Sequence, residues 1–440
     1  MIRSMLSGVS GLRAHQTRMD VIGNNVANVN TVGFKSGRVT FQEIFSETLQ
    51  GASAPDTTTG RGGTNPMQIG LGLGVGSVDT IMTRGSRETT DNPTDMSIEG
   101  DGFFICKGGS SDTFKFTRAG NFGIDRLGNL VTGGGLNVYG WQALKTDGSG
   151  DFDTNGQIEP INLYSDSYRN KKIIAAKATT KAELTGNLNA SMKPPVKTDD
   201  IKSEEKFTVP MTVYDNLGND YKVNVEFFKT DATGEKSTWK WVATSPDGDL
   251  DITPNGATAL TFDDKGVLQS GGSQNITLKY KDSAGNNTSG TGEFKVDLDF
   301  SKITSFATDN SVKPRTVDGY TSGSLVSFTV GSDGILTGIY DNGKKQSLGI
   351  VALSGFDNPA GLQKVGDNMY IPTTNSGDYK AVKAGSNGVG TLNPGSLEMS
   401  NVDLSKEFTD MIITQRGFQA NSRIITTSDE MLQELVNLKR

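Results

Sequence analysis

Four groups of residues in this 440-residue chain have the types and spacing to do chemistry, and each also has a plainer reading. Asp151-Phe-Asp153-Thr-Asn155-Gly156-Gln-Ile158 opens like a calcium loop, with oxygen donors at the first, third and fifth positions, glycine at the sixth and an apolar residue at the eighth. The twelfth position is Asn162 where a bidentate Glu belongs, and Asp/Asn/Gly clusters are also ordinary turn chemistry. Ile69-Gly-Leu-Gly-Leu-Gly-Val-Gly suggests a phosphate loop, but Gly70, Gly72, Gly74 and Gly76 alternate strictly and no Lys-Ser/Thr follows. Alternation instead puts these glycines on one face of a strand, open to close backbone approach. His15 is the only histidine and has no Cys or His near it, so it reads as a packing or solvent residue of a helix. Cys106, the only cysteine, sits in the run Phe103-Phe104-Ile105-Cys106 and reads as a half-buried strand residue. Ser-His-Asp or Cys-His catalysis would have to rest on one of these two, and neither lies in a nucleophile motif. The sequence therefore presents no catalytic centre and calls for no cofactor.

Composition points the same way. Apolar residues make up 34% of the chain and charged residues 21%, with 55 glycines, which favours a β-rich, turn-rich protein of about two to four domains. The net charge of −7 argues against nucleic acid as a partner. No apolar run approaches the ~18 residues of a membrane helix, so no membrane insertion is expected. Arg13, His15, Gln16, Arg18 and Asp20 fall where the apolar core of a secretory signal would lie.

The strongest signal is a seven-residue apolar repeat at each end. Met5, Leu12, Met19 and Val26 form one stripe, widened by Ile22 and Val29. Leu404, Met411, Phe418, Ile425 and Leu432 form another, and Phe408 joins it. Such a stripe needs a partner, so helices over about 4–30 and 402–438 are expected to pair or to pack with neighbours. Gly8 and His15 interrupt the first face, Gln415 and Ser422 the second, which suits a many-helix wall better than a tight two-helix coil. Asn401 or Asp403 could cap the second helix. Between the ends, alternating runs such as Phe207–Tyr214 and Tyr221–Phe228 read as strands. The expected fold is mainly β with terminal α-helices, nested as paired helices (1–32 with 402–440), a linker or strap (33–66), a discontinuous β-domain (67–145 with 304–401) and an inserted all-β domain (146–303).

The motifs carry a resemblance. Met19-Asp-Val-Ile-Gly-Asn24-Asn25-Val-Ala-Asn28-Val-Asn-Thr31-Val-Gly33-Phe34-Lys is similar to the N-terminal signature of bacterial flagellar rod and hook proteins. Gly395-Ser-Leu-Glu-Met-Ser-Asn-Val-Asp-Leu and Gln415-Arg416-Gly-Phe-Gln-Ala-Asn421 resemble its C-terminal counterpart. Ile98-Glu-Gly-Asp-Gly-Phe-Phe-Ile, Phe116-Thr-Arg-Ala-Gly-Asn-Phe and Leu348-Gly-Ile-Val-Ala-Leu-Ser-Gly-Phe match between them, in order, outside about 190–305. The inserted segment, with Phe207-Thr-Val-Pro-Met-Thr-Val-Tyr, resembles the extra domain of the family's hook members.

The resemblance implies a non-enzymatic structural subunit, polymerised in many copies as a helical tube outside the cell. The tube would bend while transmitting motor torque and would carry an export channel. Export without a cleaved signal peptide is implied, as are contacts with rod, cap and hook–filament junction proteins and with the export apparatus. Some spirochaete members form lysine–cysteine crosslinks through a cysteine of the inserted domain; Cys106 lies before that domain, so this chemistry is not carried over.

Overall fold

The computed structural model describes the chain except residues 1, 56–59, 61, 109–112, 147–149, 167–170, 195–204, 232–236, 249, 257, 281–292 and 439–440. It divides into two compact units. The first comprises Met1–Tyr168, Phe328–Thr337 and Ser347–Arg440, and the second Arg169–Ser327 and Gly338–Gln346. Among the described residues no helix is long and apolar enough to cross a membrane.

Two helices open and close the first unit, α1 over Ile2–Ala27 and α2 over Leu404–Asn437. The α1 periodicity extends to Val29, but the helix stops at Ala27. Asn28 donates its side-chain amide back to the Asn24 carbonyl at 2.9 Å, and Thr31 donates to the Asn28 side chain at 3.0 Å. Such local bonds offer the backbone an alternative to the helix. Asp403 caps α2, accepting from the Ser405 and Lys406 amides. Its carboxylate satisfies donors that a helix start leaves unpaired.

Residues 33–66, expected as a linker, contain two strands, Gly37–Glu43 and Ser46–Gln50. Gly37–Glu43 pairs antiparallel with Leu73–Thr80, and Ser46–Gln50 with Met67–Gly70. The Ile44 amide donates to the Gly72 carbonyl and the Leu71 amide to that of Phe45, so the two pairs form one long two-stranded ribbon. Composition misled because Gly, Ser and Thr dominate this stretch, whereas pairing depends on register and on what the ribbon lies against. It lies along α1. Arg3 bonds Glu47, His15 packs edge-on against Phe41 and Asn25 bonds Gly37. The expected single glycine face is broken at Leu71–Gly72, where the chain passes between strands and Gly72 approaches Ser10 of α1.

The rest of the first unit is a sheet whose strands run in the order 345–355, 137–141, 103–107, 115–117, 369–371 and 363–364. Phe103, Ile105, Phe116, Trp141, Ile350 and Tyr370 fill its core. Leu348–Ser354 is buried along its whole run, as a strand covered on both faces should be. Cys106 is fully rather than half buried, and burial pushes its thiol up to about 12. A thiol held neutral in this way is no nucleophile at neutral pH.

The second unit packs two five-stranded sheets face to face. One is ordered 250–254, 273–280, 293–304, 181–187, 313–317; the other is ordered 207–214, 220–231, 237–244, 259–262, 268–270. Composition placed the inserted domain at 146–303, but the first sheet is completed by Lys313–Val317 beyond that range, paired to Lys181–Asn187, which in turn runs parallel to Glu293–Thr304. Trp239 and Trp241 alternate inward on one strand and are wholly buried. One turn design recurs in both units. Asp125, Asp215 and Asp263 each accept the amides two and four residues ahead, pinning a tight reversal with a single carboxylate.

Because Trp241 packs against Phe300 with ring centroids 5.4 Å apart, Trp241→Ala should cost the second unit about 3–5 kcal/mol. Denaturant unfolding followed by Trp239 fluorescence would measure it. A midpoint equal to that of the unaltered chain would contradict the packing described.

Candidate functional site

The seam between α1 and α2 is built from small and polar residues. A Cβ on Gly417 would sit 2.7 Å from the His15 ring, and one on Gly11 would sit 2.8 Å from the Asn421 amide nitrogen. Only glycine permits this approach. Further along, Arg18 pairs with Asp410 at 3.0 Å and Asn25 donates to Glu407 at 3.1 Å. The Glu407 carboxyl is raised by its burial, an effect that the Asn25 bond opposes. Asn421 donates to the Gly417 carbonyl at 3.0 Å, which fixes its side chain against Gly11.

The seam therefore departs from the expected stripes. Its hydrogen bonds and glycine contacts fall on Gly8, Gly11, His15, Arg18 and Asn25, which, with Ile22 counted, recur at alternating spacings of three and four. Ile22, between them, is buried. Met5, Leu12, Met19, Val26 and Val29 are half-buried, as are Met411, Ile425 and Leu432. Leu404, Phe408 and Phe418 stay exposed. Together with Ile412, Met431 and Leu435 they leave α2 with apolar residues facing away from α1 over most of its length. A large exposed apolar surface on an ordered helix marks an interaction surface.

A second constellation joins the two chain ends to the β sheet. Glu398 accepts Lys35 Nζ at 2.6 Å on one carboxylate oxygen and Arg118 at 3.3 Å on the other. All three are buried, at 1%, 3% and 4% exposure for Lys35, Arg118 and Glu398. Lys35 also donates to the Thr83 carbonyl at 2.8 Å and Arg118 to that of Gly100 at 2.9 Å. Burial lowers the pKa of both cations, and the shared carboxylate works against that loss. Gly33, at φ +68°, brings its amide to the Glu398 carbonyl at 2.7 Å; a Cβ there would lie 2.6 Å from the Ala119 nitrogen. Asn401, expected as a possible helix cap, instead accepts from Ser36 at 2.8 Å and donates to Ile81 at 2.9 Å.

Several motif residues thus have definite places. Asn24, Asn28 and Thr31 end α1, Asn25 and Asn421 hold the seam, and Gly33 enters the node. Phe34 is buried beneath Lys364, whose ammonium lies 5.0 Å from the ring centroid. Arg416 bonds Gln419, and Gln415 is exposed. Lys35, Arg118 and Glu398 lie inside the family motifs, where spacing alone gives them no role. The available signal was charge within otherwise small or apolar motifs, which is unusual unless the charges pair. Asp153 accepts the amide of Asn155 at 3.0 Å, as a turn residue does, and Asp151 lies 4.0 Å from Lys145. Among the described residues no three of His, Cys, Asp and Glu come together to hold a metal.

The matches to known families follow this anatomy. Residues 5–35 match the flagella basal body rod protein family, 97–168 the flagellar hook protein FlgE/F/G D1 domain, 187–320 the flagellar basal body protein FlaE D2 domain and 393–438 the flagellar basal body rod FlgEFG protein C-terminal family. Flagellar hook protein FlgE of Borreliella burgdorferi is 39% identical over 459 residues, covering 100% of both chains. That of Salmonella typhimurium is 34% identical over 443 residues, covering 99% of this chain and 100% of its own. Flagellar basal-body rod protein FlgG of Bacillus subtilis is 31% identical over 441 residues, covering 100% of both.

Glu398→Gln leaves Lys35 and Arg118 buried without an anion and should destabilise the first unit by about 3–5 kcal/mol. Lys35→Met, which keeps the Arg118–Glu398 pair, should cost less. Equal losses in thermal unfolding of the two variants would show that charge balance is not what holds the node.

Proposed function

The chain belongs to the flagellar rod and hook protein family, and we propose that it is a structural subunit of the hook that assembles by packing α2 against neighbouring copies. The observation that carries this is the exposed apolar face of α2. A free helix with such a face is marginal in water, and a ring of neighbours would bury it. Over the same span, identity to the two hook proteins (39% and 34%) exceeds that to the rod protein (31%), which favours a hook role over a rod role.

In the assembled tube the helix pair forms the inner layer around an export channel, and the β-rich units form the layers outside it. The ribbon that replaces the expected linker serves as a strap to adjacent copies; Ile44, Phe45, Leu49 and Met67 on it are exposed. Compact β units joined by few chain crossings let each subunit lengthen and shorten as a curved tube turns, so that the hook works as a universal joint for motor torque. The role is structural rather than catalytic, and it operates outside the cell, between rod and filament.

Removing residues 404–440 should abolish tubes in electron micrographs while leaving the β units folded by circular dichroism. Phe408→Ser with Ile412→Ser, which alters only exposed positions, should do the same with both helices still present. Tubes formed by either variant would overturn the inner-layer role. Replacing 177–320 with a short turn should leave tubes that differ in stiffness or curvature, and loss of all assembly would contradict the layering.

A further inference from the structure

His15 stands where α1, α2 and the ribbon meet. Its ring fills the slot that Gly417 leaves open in α2 and packs edge-on against Phe41 of the ribbon, with centroids 5.6 Å apart. Nδ1 is buried and has no hydrogen-bond partner among the described residues. The charged groups around this position are already engaged, of the wrong sign or turned to solvent. On α1, Arg18 lies one turn ahead, bonds Asp410 and places its guanidinium 5.9 Å from the Phe41 ring centroid. On α2, Asp410 is held by Arg18, Glu407 by Asn25, and Arg416 points to Gln419. On the ribbon, exposed Arg38 is paired with Asp79, and Glu43 is exposed beside Gly70.

Resting on the assembly role proposed above, we infer that His15 is an acid-sensitive latch: the α1–α2 pair closes around a neutral imidazole, and protonating it opens the inner layer of the tube. A proton on Nδ1 adds a donor that needs an acceptor, in a slot that offers none, and a positive charge beside Arg18. A buried donor left unpaired costs the desolvation of that group. Burial, followed by the Arg18 charge, lowers the pKa of the ring from its ordinary 6.5. A histidine depressed in this way takes its proton more readily when the helices are apart. The pairing it supports is complete above 6.5 and is lost as pH falls from there through the depressed value. Each tenfold loss of proton affinity on pairing weakens the pair about tenfold per subunit once pH lies below both values. The chain has no other histidine, so no second imidazole titrates in that window.

The test uses tubes of the full chain, formed at pH 8 and then sedimented at steps down to pH 5. Unaltered tubes should lose sedimentable protein below about pH 6.5, and His15→Gln tubes should lose markedly less over the same steps. Equal losses would overturn the latch, and because the comparison is made at the same pH, contributions from Glu407 cancel. If His15→Gln forms no tubes, hydrogen–deuterium exchange at Cε1 of the sole histidine, read by mass spectrometry on unaltered tubes, gives its pKa directly. A midpoint below that of the urea-unfolded chain supports the latch, and a midpoint at or above it overturns it. Failure of the unaltered chain to form tubes would instead count against the assembly role itself.

Discussion

One buried carboxylate holds the first unit together. Glu398 belongs to the segment that leads into α2, Lys35 to the segment that follows α1, and Arg118 to the β sheet. Two cations on one anion, all out of water, form an arrangement that cannot lose its carboxylate, because both cations depend on it for their solvation. The neighbouring bonds from Gly33, Gly85, Ser36 and Asn401 satisfy the backbone around it. The helices therefore leave the β body from a defined point, although they pack mainly on each other and on the ribbon.

That fixed origin explains the division of labour along the helices. If the apolar stripes were used up within the chain, nothing would remain for neighbours. Instead the pairing relies on glycine contacts, an ion pair and amide bonds, and these specify register more than they add stability. The larger apolar side chains of α2 stay on the outside. A polar seam with a greasy exterior suits a part whose final burial comes from other copies. The second unit follows the opposite plan, with Trp239, Trp241, Phe227, Phe262 and Phe300 wholly inside.

The periodic parts of the sequence were the legible ones. Alternation in Phe207–Tyr214 reports a sheet face directly, and the terminal heptads report helices, because each pattern is local and repeats. The family motifs carried the assignment further than periodicity could. The ribbon was hidden because a Gly-, Ser- and Thr-rich stretch lies between its strands, and because what shapes it is the surface of α1. The seam was half legible: Gly8 and His15 looked like flaws in a stripe, yet they mark the contact. The node was least accessible. Its partners Lys35 and Glu398 lie 363 positions apart, and no periodicity links single charges over such a distance.

The node also has a kinetic and evolutionary side. Closing it means bringing together two points separated by almost the whole chain, an entropic cost that grows only with the logarithm of the loop. Lys177 and Tyr320 bond each other across the base of the second unit, so its prior folding takes 143 residues out of that loop. By the logarithmic rule this saves only about 0.4 kcal/mol. So weak a dependence works in both directions: an insert at this point can grow, shrink or be exchanged almost without changing the free energy of closing the junction. A chain built this way can vary its middle widely while its ends keep a single geometry.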